Sequence, residues 1–176
     1  MIRENDNSKP TQLIWHYTTG VHIPSILQAG RIRNENPCLL KAPQVPVTWF
    51  SLNQVWEPTA WKVALPPETG ATILREATAE VGRGLFRIGV DLCVAPFRVH
   101  HLIRIAGATR RTVRELARVG RACGACPEDW RFTPNEVPDN RWRAIQLWDG
   151  ESGTWVPYQH ERRIPLRRDE LVGAFD

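Results

Sequence analysis

Leu13-Ile14-Trp15-His16-Tyr17-Thr18-Thr19-Gly20 runs straight into Val21-His22-Ile23-Pro24-Ser25-Ile26-Leu27-Gln28-Ala29-Gly30. An apolar run ends in a polar His-Tyr-Thr-Thr cluster and a turn glycine. Val21, Ile23, Ile26 and Leu27 then partly fit a helical face before Gly30 closes it. This spacing predicts a strand with His16, Tyr17 and Thr18 at its end, followed by a short helix. Strand ends are where a fold presents polar groups to a ligand. An imidazole, a phenol and hydroxyls at one point supply donors, acceptors and a flat ring. The segment reads as the first wall of a binding site, with a hydrogen-bonded histidine at a sheet rim as the plainer alternative.

The chain of 176 residues, 42% of them hydrophobic, is long enough for one domain with a sizeable core. That domain is expected over residues 13–176, after a polar, flexible segment at 1–12. The opening residues contain no apolar stretch of signal-peptide type, and no later run approaches the roughly 18 apolar residues of a membrane span. A cytoplasmic protein without membrane contact is therefore expected, with Cys38, Cys93, Cys123 and Cys126 as reduced thiols.

Charge adds a hint about partners. The net charge is +4, and of the 23 basic residues only Lys9, Lys41 and Lys62 are lysine. Guanidinium forks suit phosphate, although an arginine-rich codon bias produces the same composition. Between Arg98 and Arg121 the only acid is Glu115. A helical pattern over 108–123, with Val113, Leu116, Ala117 and Val119 apolar, brings Arg110, Arg114, Arg118 and Arg121 to one face. That face is either a phosphate-facing surface or an ordinary solvated one.

Further elements follow from the pattern. Val47-Thr48-Trp49-Phe50-Ser51 is a strand candidate, residues 59–65 and 72–81 read as helices, and 84–90 alternates as a strand. Proline at 58 suits a helix start. Residues 143–148 and 154–158, joined by Asp149-Gly150-Glu151-Ser152-Gly153, read as a hairpin. Trp49, Trp56 and Trp61 cluster as in a core, an interface or the wall around a flat ligand. Cys123-Gly124-Ala125-Cys126 lacks the second ligand pair of a zinc site, so no metal is assigned. Walker, Rossmann, H-x-E and G-x-S-x-G patterns are absent.

The His16-Tyr17-Thr18 strand with its glycine-closed helix resembles the first motif of the ADP-ribosyltransferase superfamily, which includes DNA-targeting toxin transferases, RNA 2′-phosphotransferases and related bacterial families. Trp49-Phe50-Ser51 resembles the second motif, and Gln159-His160-Glu161 resembles the late-strand motif that carries the catalytic glutamate. The resemblance implies an α+β fold, a split sheet with a cleft and flanking helices. It also implies NAD as substrate, with ADP-ribose transferred to a macromolecular acceptor.

Breaking the nicotinamide–ribose bond passes through an oxocarbenium-like state. The reaction needs groups to fix the ribose, an aromatic wall for the pyridinium and a carboxylate for the developing charge. The resemblance assigns His16 and Glu161 to catalysis and Tyr17, Thr18, Trp49, Phe50 and Ser51 to NAD. The arginine face makes nucleic acid the preferred acceptor.

Two alternatives stay open. If Gln146 stands where the glutamate belongs, the chain is an inactive binding module of the same fold. If the resemblance is coincidental, it is a basic nucleic-acid-binding or nuclease domain. Glu57, Asp91 and Glu161 are too scattered to suggest a metal nuclease.

Overall fold

The computed structural model describes residues 12–34, 45–61 and 70–159, and in them the alternating runs become nine strands and four α-helices. Strand β1 (Leu13–Thr19) leads into helix α1 (Ile23–Ala29), where Pro24 sits in the first turn, as its fixed φ favours. Gly30 ends the helix at φ 62°, a left-handed cap that turns its N–H back to the carbonyls of Ile26 and Leu27. The predicted strand and helix are both present.

Strands β2 (Arg31–Ile32), β3 (Thr48–Ser51), β4 (Leu85–Asp91), β5 (Phe97–Arg98), β6 (Trp130–Thr133), β7 (Val137–Pro138), β8 (Trp142–Asp149) and β9 (Thr154–Pro157) follow. Seven form one sheet in the order β5-β6-β3-β1-β4-β8-β9, and β2 pairs with β7 as a separate ribbon. Every pairing is antiparallel, so the fold is α+β. The two sheets differ greatly in size.

Helices α2 (Ala71–Val81), α3 (Leu102–Ile105) and α4 (Arg110–Ala122) complete the set. Thr109 caps α4 by accepting from the N–H of Thr112. The helix expected over 59–65 is seen only as a 3-10 turn, Pro58–Ala60, because residues 62–69 lie outside the described residues. The N-terminal segment up to residue 11 lies outside them too, as do His160 and Glu161 of the late motif, whereas its Gln159 is described and exposed.

Side chains alternate along a strand, so β1 divides its residues between two faces. Ile14 packs with Phe50, Phe86, Ile88 and Val90, under Ile23 of α1 and the Ile32–Val137 ribbon. On the other face Trp15 and Tyr17 pack with Leu85, Trp56 and Trp148, against Ala71 and Ala79 of α2. Further along that face Phe132 and Trp49 meet Leu102, Val113 and Leu116 of α3 and α4. Gly120 is required there, since a Cβ would stand 2.4 Å from the Trp130 ring. No helix among the described residues is long and apolar enough to cross a membrane.

Candidate functional site

β1 and β3 are registered at one pair, Trp15 opposite Ser51, whereas β1 and β4 are registered along the whole strand. Toward Tyr17 and Trp49 the ladder between β1 and β3 is not continued. The Trp49 carbonyl is taken by a side chain instead: Nδ1 of His16 lies 3.0 Å from it. A carbonyl only accepts, so the proton of this bond sits on Nδ1. The His16 ring also meets Phe50 at a centroid distance of 5.7 Å and an angle of 57°. The two segments singled out in the sequence, 33 residues apart, thus join at His16, which is partly open to solvent.

The remaining candidates divide between the faces. Thr18 and Phe50 are buried on the His16 side. Tyr17, Trp49 and Ser51 lie on the opposite side, so alternation prevents the His-Tyr-Thr and Trp-Phe-Ser triplets from lining one cleft in full. Gln146 is also on the Tyr17 side, since it pairs across the sheet with Arg87, and Arg87 with Tyr17.

That second face holds a polar cluster with no obvious sequence signal. Arg87 is 6% exposed, and its guanidinium carbon lies over the rings of Trp15, 3.9 Å from the centroid, and of Trp155, 4.4 Å away. It donates through Nε to Gln146 Oε1 at 2.7 Å and through a terminal nitrogen to the Gln54 carbonyl. The charge is held by dipoles and ring faces, with no carboxylate in ion-pair contact among the described residues. Burial pulls the Arg87 pKa below its ordinary value, against the favourable pull of neighbouring Tyr17.

The loop after β3 is fastened across this cluster by three consecutive carbonyls. Tyr17 donates its hydroxyl to Asn53 O at 2.8 Å, Arg87 donates to Gln54 O, and the Trp155 indole donates to Val55 O at 2.7 Å. Burial pushes the Tyr17 phenol up to about 12, partly offset by Arg87. Glu57, 6% exposed, accepts from Ser51 Oγ at 2.7 Å and from Thr59 Oγ1 at 2.7 Å. Ser51, a candidate for NAD in the sequence, therefore has its hydroxyl committed to a carboxylate of its own loop.

All four arginines of the predicted stripe lie exposed on α4, with Arg111 beside them. Arg118 pairs with Glu115 at 2.6 Å and Arg121 with Glu128 at 2.7 Å. Arg110, Arg111 and Arg114 have no carboxylate partner among the described residues. The Cys126 thiol donates to Glu128 Oε2 at 3.3 Å, which raises its pKa. No group of three or more His, Cys, Asp or Glu side chains among the described residues is placed to hold a metal ion.

Comparison with protein families, with curated proteins and with solved structures finds no match to this chain.

Proposed function

We propose that the chain transfers ADP-ribose from NAD to a macromolecular acceptor. The supporting observation is the junction of the two motif-like strands, where His16 donates to the Trp49 carbonyl and packs on Phe50. His16 is the residue in contact with the ribose, and Thr18 and Phe50, both buried, form the floor beneath it. Tyr17, Trp49 and Ser51 act from the opposite face, holding the wall and the following loop in place.

In the proposed reaction the bond between ribose C1′ and the nicotinamide nitrogen breaks, and its electron pair leaves with neutral nicotinamide. The acceptor's nucleophilic atom bonds to C1′ and gives up its proton. Positive charge builds on the ribose in between, and Glu161 is the carboxylate assigned to it. The Arg87 contact occupies Gln146 on the Tyr17 face, which favours seeking the carboxylate elsewhere.

The test is nicotinamide release from NAD by the purified protein, alone and with nucleic acid or protein added. Glu161→Gln is expected to lower the rate about 10²–10³-fold without loss of folding, the usual cost of removing one charge-stabilising group. Wild-type rates in that variant would remove Glu161 from the mechanism. The absence of nicotinamide release under any of these conditions overturns the reading.

A second reading has its own support. Arg110, Arg111 and Arg114, without a carboxylate partner among the described residues, favour contact with a phosphate backbone, which makes nucleic acid the acceptor in the first reading and the sole ligand in the second.

A further inference from the structure

At the β5 edge of the large sheet, where the 3-10 turn Val99–His101 leads into α3, four rings run outward from the core. Phe132 is fully buried, Phe97 meets it at a centroid distance of 5.6 Å, His101 meets Phe97 at 5.8 Å, and His100 lies 4.0 Å from His101. His100 is exposed, so the series ends in a flat ring presented to solvent. We propose that this ring stacks on an unpaired base of single-stranded nucleic acid whose backbone is held by Arg98 and Arg104. The proposal rests on the nucleic-acid reading of the α4 face and names the form of nucleic acid that the surface fits.

His101 supplies a fixed backing for the outer ring. Its Nδ1 accepts the Arg98 N–H at 3.0 Å, so its own proton sits on Nε2 and the ring is neutral. Desolvation, followed by the charges of His100, Arg104 and Arg98, holds its pKa below the ordinary histidine value. With one side of its ring against His101, His100 offers the other to a ligand.

The surroundings are cationic without a counter-charge. No Asp or Glu occurs between Asp91 and Glu115, and both of those are engaged, Asp91 with Arg143 at 2.7 Å and Glu115 with Arg118 at 2.6 Å. Arg98 and Arg104 are exposed and have no carboxylate partner among the described residues. Arg98 also stands directly opposite Arg131 across β5 and β6, a like-charge pair that costs stability on its own. Asp129, the acid in the turn before β6, is in ion-pair contact with neither. Leu102 and Ile105 of α3 share a core with Val113 and Leu116 of α4, so this patch adjoins the arginine face of α4. A phosphate backbone supplies the missing negative charge. In a duplex each base is already stacked between its neighbours and has no face left for His100, whereas a single strand offers base faces and phosphates together.

The experiment measures binding of the whole protein to a labelled oligothymidylate of about twelve nucleotides, and to a duplex of the same length, by fluorescence anisotropy. His100→Ala should weaken single-strand binding about fivefold or more and leave duplex binding unchanged. His100→Phe, which keeps a ring without the imidazole charge, should bind the single strand as the parent chain does. Changing Arg98 and Arg104 together to glutamine should make the single-strand salt dependence shallower by roughly one to one and a half units. Equal losses on both nucleic acids in His100→Ala, or a loss in His100→Phe as large as that in His100→Ala, overturn the proposal. It also falls if none of these variants changes binding; a loss in the Arg110 and Arg114 double variant then shows that the α4 reading stands without it. Absence of binding by the parent chain removes both. None of these readouts involves NAD, so the result is separate from the transferase reading.

Discussion

Arg87 donates its Nε proton to Gln146 Oε1 at 2.7 Å, directly across the pairing of β4 and β8. The guanidinium is buried, and this amide oxygen is one of its few acceptors. Gln146→Ala leaves a charged donor unsatisfied in the core, a loss of about 1–3 kcal/mol. Urea unfolding should show a lower midpoint at unchanged slope. An unchanged midpoint would mean that water replaces the glutamine freely, and that the Arg87 cluster is wetter than its geometry indicates.

Tyr17 gives the fold an alkaline limit. Its phenol, pushed up to about 12 by burial, must stay protonated in the folded chain, whereas in the unfolded chain it ionises near 10. Between those values the native state holds the extra proton, so stability falls as pH rises through the interval and is intact below it. Two units correspond to about 3 kcal/mol. Stability measured from pH 9 to 12 should drop less in Tyr17→Phe than in the parent chain. In Tyr158→Phe, the remaining tyrosinate absorbance should appear only near the upper value. Its appearance near 10 would rule out a buried phenol.

Gly20, read from the sequence as a turn residue, is needed for a closer reason. A Cβ there would stand 2.0 Å from the Arg83 carbonyl oxygen, and Gly20 N–H already bonds Gly84 O at 2.9 Å. Both partners are backbone and cannot swing aside. Gly20→Ala should cost about 3 kcal/mol, at the upper end of overpacking losses. Gly150→Ala, with nothing within 4 Å of the added methyl, should stay within about 0.5 kcal/mol. Equal melting temperatures for the two variants would contradict this packing.

The parts of the fold legible in the sequence were those written in local periodicity. The apolar face of α4, the span of α2, the β8–β9 hairpin and the Gly30 cap all follow from residue spacing. Alternation also predicts that His16 and Tyr17 face opposite ways, but composition alone invites grouping neighbouring polar residues into one site. The Arg87 cluster was illegible because its acceptors are carbonyls and an amide, which any residue or an ordinary glutamine supplies. Trp49 and Trp56, close in sequence, go to separate clusters, and no local pattern separates a core indole from one beside an open pocket.

The α4 face supports a prediction that depends on which arginines are already engaged. Each phosphate neutralised by a protein cation releases condensed counterions, so binding weakens linearly in log salt, with somewhat less than one unit of slope per contact. Arg118 and Arg121 must first leave Glu115 and Glu128, whereas Arg110 and Arg114 have no carboxylate partner among the described residues to give up. Changing Arg110 and Arg114 together to glutamine should therefore make the salt dependence of nucleic-acid binding shallower by roughly one to two units. The matching change at Arg118 and Arg121 should do less. Neither double variant should alter nicotinamide release in the absence of acceptor, because the stripe is exposed on a helix that packs on the face opposite His16. If affinity and slope are unchanged after the Arg110 and Arg114 substitutions, the stripe is a solvated helix face. The acceptor is then to be sought among proteins or small molecules.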